Sequence, residues 1–164
     1  MQMKKSILAI LIVSIFTAFG CDNSNGQNSK APVKRSLSKP AAEWKKLLTP
    51  NQYQILVNRG TEPPYQNAYY NNHQKGVYVS AATGEVLFSS DDKFDSGTGW
   101  PSFVKAVDPN KVEIVHDNSY GMSRDEVIEK STGLHLGHVF DDGPADRGGK
   151  RYCMNSGALK FIKK

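Results

Sequence analysis

The chain has 164 residues, a formal net charge of +5 and two cysteines, Cys21 and Cys153. That charge is too modest to argue for a nucleic-acid partner, and lysines scattered over a solvated surface account for it. With Cys21 assigned as below, Cys153 is the only thiol left and no intramolecular disulfide can form.

The first twenty residues read as an address. Lys4 and Lys5 form a positive start, residues 7–19 are an apolar run, and Ala18-Phe19-Gly20 places small residues before Cys21. The run is shorter than the ~20 residues a spanning helix needs. A cysteine at the cleavage point followed by a polar stretch looks like a bacterial lipoprotein signal, with Cys21 the lipid-bearing first residue. An ordinary secretory signal and an uncleaved anchor are the alternatives. The expected location is the bacterial cell envelope, lipid-anchored and facing outside the cytoplasm. Residues 21–39, rich in Asn, Ser, Gly, Lys and Pro, offer nothing to bury and are expected to be a flexible tether.

The domain is expected over residues 40–164, within the usual size of a single domain. Ser38 is the candidate cap of a first short helix whose apolar side is Trp44, Leu47 and Leu48. Thr49-Pro50-Asn51-Gln52 has the form of a capping box, with proline at the first helical position. Tyr53, Leu56 and Val57 continue at helical spacing, and Gly60 is the expected stop. From residue 76 the pattern changes to short runs between turns: 76–81, 85–89, 111–115, 125–130, 134–140, 150–154 and 159–162. That spacing predicts antiparallel sheet.

Residues 133–156 concentrate the reactive side chains: His135, His138, Asp141, Asp142, Arg151 and Cys153. Free cysteine is usually a buried, inert hydrophobe. Here Arg151 shares a face with Cys153 if the segment is a strand, and a neighbouring cation lowers a thiol pKa. His135 and His138 are three apart, so on a regular strand they point to opposite faces and only one reaches the thiol, unless the strand is bulged.

Gly133-x-His135-Leu136-Gly137-His138-Val139-Phe140, Asp142-Gly143-Pro144 and Arg151-Tyr152-Cys153-Met154-Asn155-Ser156 closely resemble the signature of the B-type methionine sulfoxide reductases. Leu48-Thr49-Pro50-x-Gln52-Tyr53, Gly60-Thr61-Glu62-Pro63-Pro64-Tyr65, Lys93-Phe94-Asp95-Ser96-Gly97 and Gly99-Trp100-Pro101-Ser102-Phe103 resemble its other motifs, in the same order. The resemblance implies a mainly β fold of two antiparallel sheets with short N-terminal helices. It implies thiol-dependent reduction of the R epimer of methionine sulfoxide in peptides and proteins. Cys153 would be the nucleophile and become a sulfenic acid. His138 would assist protonation, Asp142 would tune His138 by hydrogen bonding, and Arg151 would hold the thiolate charge. Asn155 and His135 would contribute hydrogen bonds near the sulfoxide oxygen, and Trp100 would wall the methyl group.

Two departures from the family pattern matter. Many relatives bind a structural zinc through two Cys-x-x-Cys pairs, and the matching positions here are Ser80, Thr83, Glu129 and Thr132. These cannot supply four soft ligands, so no metal and no bound cofactor are expected. The usual resolving cysteine is replaced by Thr98. An external thiol reductant, a thioredoxin-like protein or a small thiol, is therefore expected to recycle Cys153. The expected partners are oxidised proteins, such a donor and a membrane reached through Cys21, and the expected state is a monomer. The rival readings are a cysteine hydrolase using Cys153, His138 and Asp142, and a non-catalytic envelope lipoprotein that binds a partner.

Overall fold

The fold is seen in a computed structural model that describes residues 34–164. The expected signal, Cys21 and the tether up to residue 33 lie outside the described residues. Residues 34–39, expected to be free tether, are instead tied to the domain. The Leu37 amide donates to the Ser131 carbonyl at 2.9 Å, and Arg35 donates to Glu113 at 2.8 Å and to the Lys130 carbonyl at 2.9 Å.

Helix α1 spans Ala41–Leu47 and α2 spans Pro50–Leu56. The α1 cap is Pro40 rather than Ser38. The Pro40 carbonyl takes the amides of Glu43 and Trp44, and its fixed φ of -58° suits entry into a helix. Trp44 and Leu48 are buried, four apart on one side, while Leu47 is exposed. The capping box of α2 is present in full: Thr49 Oγ1 accepts from the Gln52 amide, and Gln52 Oε1 accepts from the Thr49 amide. The helix ends before Gly60, and the residue in the left-handed region is Arg59, at φ 58°.

Nine strands follow: β1 Gly76–Ser80, β2 Val86–Ser89, β3 Lys93–Phe94, β4 Ser102–Phe103, β5 Val112–Asp117, β6 Arg124–Glu129, β7 His135–Phe140, β8 Arg151–Met154 and β9 Leu159–Lys163. They form two sheets, β2-β1-β9 and β3-β4-β8-β7-β6-β5, antiparallel at every pairing. This is the mainly β architecture with two sheets and N-terminal helices that the resemblance implies. β3 and β4 were not expected, because two residues carry no periodicity. They exist through pairing, with Ser102 opposite Cys153 and Phe103 opposite Tyr152. Aromatic rings join the sheets: Phe88 of β2 stacks on Phe103 of β4 with centroids 4.6 Å apart, and Tyr78 of β1 meets Phe103 at 5.0 Å. These side chains are fully buried. Each such burial stabilises by about 1.5–3 kcal/mol.

The four positions matching the family's zinc pairs meet between the β1–β2 and β6–β7 turns. Buried Glu129 accepts from Thr83 Oγ1 at 2.5 Å and from Thr132 Oγ1 at 2.7 Å. Ser80 Oγ accepts the amides of Ala82 and Thr83. Three hydroxyls and one carboxylate, bonded among themselves and to the turns, do not fit a tetrahedral thiolate site. Hydrogen bonds join the two turns where the family pattern has metal.

Candidate active site

The register of the larger sheet assembles the site. Ser102 of β4 lies opposite Cys153 of β8, Cys153 opposite His138 of β7, and His138 opposite Glu126 of β6. Residues paired across an antiparallel sheet share a face, and so do residues two apart along a strand. Phe140, Arg151, Arg124 and Asp117 therefore join Cys153 and His138 on one face, while Val127, Val139 and Met154 point into the core on the other. Gly137 lets β7 and β8 approach closely, since a Cβ there would overlap the Cys153 backbone oxygen.

Cys153 opens into a cavity of about 130 Å³ walled by Trp100, His138, Phe140 and Asn155. This is well below the roughly 300–1,000 Å³ of sites that engulf a drug-sized ligand. It suits the end of one side chain. Thr61, Arg124 and His138 also line an adjoining cleft of about 440 Å³ that includes Arg59, Met122 and His135.

The half-buried thiol corrects one expectation. Burial pushes the Cys153 pKa up, and it outweighs the Arg151 charge and the hydrogen bonds from Thr98, Ser102 and Arg151, which pull it down. Thr98 Oγ1 lies 4.0 Å from Sγ, and Ser96 Oγ links Thr98 at 2.8 Å to Ser102 at 2.7 Å. The place of the usual resolving thiol thus holds a hydroxyl next to the sulfur.

Arg151 is 8% exposed and forks onto Asp142, with Nε to Oδ1 and Nη2 to Oδ2 both at 2.8 Å. Its guanidinium carbon lies 4.4 Å from the Phe140 ring centroid. The bond from Arg151 holds the Asp142 carboxyl below its ordinary value. Asp142 was expected to tune His138, and here the structure differs. His138 Nε2 donates instead to Asp117 Oδ2 at 3.1 Å. The reason is register: Phe140 pairs with Arg151, so the chain leaving β7 brings Asp142 to the guanidinium, while Asp117 arrives from β5. Burial lowers the His138 pKa, and the bond to Asp117 only partly offsets it. Burial thus favours the neutral imidazole.

His135 and His138 do not point to opposite faces. Val127 pairs with Gly137 and Ile128 with His135, so Leu136 is an extra residue in β7. The bulge brings both rings to one face with centroids 5.3 Å apart. His135 lines the adjoining cleft and is held by Glu126, with Nδ1 to Oε1 at 2.7 Å. Burial raises the Glu126 pKa, but His135 and Arg59 bring it below its ordinary value on balance.

Asn155 lines the thiol cavity with its amide already engaged. Nδ2 donates to the Leu136 carbonyl at 3.2 Å and lies 3.4 Å from His135 Nε2, while Oδ1 accepts the Glu62 amide at 3.2 Å. Glu62 was not anticipated. Its carboxylate receives the amides of Ser156 and Gly157, and its carbonyl accepts Trp100 Nε1 at 3.0 Å. Glu62 fixes the Trp100 wall to the turn after the nucleophile. Asp117, Arg124 and Glu126 were also missed. Asp117 and Arg124 lie just beyond the strands expected at 111–115 and 125–130. Carrying the alternation two residues past Val115 places Asp117 on the Val115 face.

The SelR domain family matches residues 48–163. The chain is similar to the "Peptide methionine sulfoxide reductase MsrB" of Methanosarcina barkeri, 52% identical over 129 residues that cover 79% of this chain and 90% of the relative. The protein of the same name from Methanosarcina mazei is 49% identical over 131 residues, 80% and 93% of the two chains. That from Leptospira interrogans is 52% identical over 127 residues, 77% and 96%.

Proposed function

The chain belongs to the SelR family of peptide methionine sulfoxide reductases, and from that membership we propose how its own residues carry the reaction. It is a peptide-methionine (R)-S-oxide reductase that draws on a thiol reductant. This removes the cysteine hydrolase and the non-catalytic binding lipoprotein as readings of the chain.

The observation that carries the mechanism is the pairing of Cys153 with His138 across β8 and β7, beside a cavity walled by Trp100. The sulfoxide methyl rests on Trp100, and the sulfur faces Cys153 Sγ. His138, neutral at rest, takes the thiol proton as the thiolate forms, and Arg151 holds the negative charge. Sγ attacks the sulfoxide sulfur, the proton passes from His138 to the oxygen, and the hydroxyl transfers to Sγ. Cys153–SH and methionine sulfoxide become Cys153–SOH and methionine, so atoms and electrons balance. His135 and Asn155 act by supporting the oxygen-facing side of the cavity, and Asp142 acts through Arg151.

With Thr98 beside Sγ, an external thiol attacks the sulfenic acid, releasing water and leaving a mixed disulfide that a second thiol reduces. A thioredoxin-like protein or a small thiol fills that role. Cys21 carries lipid, and the enzyme repairs oxidised proteins of the envelope. The support for this location is the signal-like pattern of residues 1–21.

The mechanism is tested by trapping. Exposed to an R-sulfoxide peptide without reductant, the protein should add a sulfenic-acid-specific diketone at Cys153, read by mass spectrometry; a disulfide there instead would contradict it. Labelling with a palmitate analogue should mark the wild type and spare Cys21→Ser; equal labelling would overturn the anchor.

A further inference from the structure

We propose that Asp117 and Arg124 are positioning residues for His138, a carboxylate–guanidinium pair that fixes which imidazole nitrogen carries the proton and which keeps its lone pair. The inference rests on the reductase reading above and adds two residues to it.

Asp117 and Arg124 are register partners where β5 and β6 run into the turn at residues 118–123, on the face that carries His138. Arg124 Nη2 donates to Asp117 Oδ2 at 2.9 Å, and His138 Nε2 donates to the same oxygen at 3.1 Å. Asp117 Oδ1 accepts the Ser119 amide at 2.9 Å. Donors from the turn, β6 and β7 thus hold one carboxylate. The three side chains are shielded, with 16%, 23% and 12% exposure for Asp117, Arg124 and His138. In such a setting charge-assisted bonds are strong and directional.

An ionised carboxylate only accepts, so Nε2 must carry the proton and Nδ1 is left with the lone pair. The bonds from Ser119 and His138 hold the Asp117 carboxyl well below the usual carboxylate range, which favours its ionised form. A carboxylate that selects the tautomer of a catalytic imidazole is the logic of the serine-protease triad. Arg124 is more than a brace for the hairpin. It lines the thiol cavity, and its Nε is the single buried side-chain nitrogen or oxygen without a partner among the described residues.

Other charges also face His138: Glu126 from β6, bound to Arg59 and His135; His135 on its own strand; and Cys153 with Arg151 from β8. Asp117 and Arg124 act on the ring with opposite sign, the carboxylate favouring the imidazolium and the guanidinium opposing it. Removing each should therefore move His138 in opposite directions, which simple loosening of the hairpin would not do.

The experiment combines nitrogen-15 NMR titration of His138 with the pH profile of methionine release from the R-sulfoxide peptide, in wild type, D117N and R124Q. In D117N the carboxylate charge is lost, so the ring should titrate at lower pH than wild type and the enzyme lose ~10²-fold in kcat with KM little changed. In R124Q the ring should keep its Nε2–H tautomer and titrate at higher pH. The acid limb of each profile should follow. A wild-type ring in the Nδ1–H tautomer, an unmoved His138 titration in D117N, or shifts of the same sign in both variants would overturn the pair. Should D117N not fold, the direction in R124Q decides. A wild type that releases no methionine would sink the reductase reading, and the NMR titration would still judge the pair.

Discussion

Replacing both Thr83 and Thr132 with valine should destabilise the domain by several kcal/mol. Valine keeps the branched shape and removes the hydroxyls that donate to Glu129 at 2.5 and 2.7 Å. Glu129 has no exposed surface, so water cannot replace both donors. Leaving a buried polar group without its hydrogen-bond partner costs about 1–3 kcal/mol for each bond lost. Thr132 is buried and Thr83 only partly so. Thr132→Val alone should therefore cost about 2–3 kcal/mol, Thr83→Val about 1 kcal/mol, and the pair about 3–5 kcal/mol with coupling between them. For a domain of this size the double variant should melt ~10–20 °C lower. Urea and thermal unfolding of the four proteins at pH 7, with and without a chelator, measure this. A double variant within ~1 kcal/mol of wild type would refute the claim that these hydroxyls hold the turns together. So would a wild type that a chelator destabilises.

Asp142→Asn should loosen Arg151 and leave His138 untouched, since Asp142 reaches the thiol only through the guanidinium. Expected are a higher Cys153 pKa, a loss of ~10-fold in methionine release at pH 7, and an unchanged His138 titration by NMR; a shifted His138 would restore the expected Asp142–His138 bond. Alkylation of resting Cys153 should rise with pH through a midpoint above the ordinary thiol value, because burial outweighs Arg151. In Arg151→Met the midpoint should move higher still, and a plateau near neutral pH in either protein would contradict that ordering. Thr98→Cys places a second thiol where a hydroxyl now lies 4.0 Å from Sγ, between Gly97 and Gly99, both at positive φ. One turnover should then leave a disulfide between the introduced thiol and Cys153, seen by mass spectrometry, where the wild type leaves a sulfenic acid. Persistence of the sulfenic acid in this variant would show that the loop cannot close the gap to the ~2.05 Å of a disulfide.

Much of the scaffold was legible because it rests on local rules. The capping box at Thr49 is a contact between residues three apart, and the seven longer strands announce themselves as short runs spaced between turn residues. β3 and β4 were not legible, since their two residues acquire strand character only from the edge that β8 offers. The nucleophile and His138 could be named from one stretch of chain. Their electrostatics could not, because the partners come from elsewhere: Asp117 from β5, Arg124 and Glu126 from β6, Glu62 from the loop before β1. The sign of the Cys153 shift is not legible in the sequence for a related reason. Arg151 is visible two residues away, while the burial that outweighs it depends on how the sheets and the Trp100 loop close over the thiol. The side on which His135 lies turned on one extra residue at Leu136, which alternation alone does not reveal.

The most direct test of the central claim is single-turnover release of methionine from separate R and S sulfoxide peptides, using residues 34–164 and no reductant. The account predicts about one methionine per protein from the R epimer alone, none from the S epimer, and none from Cys153→Ser. Release from the S epimer, or from Cys153→Ser, or no release from a folded protein with an accessible Cys153, would contradict it.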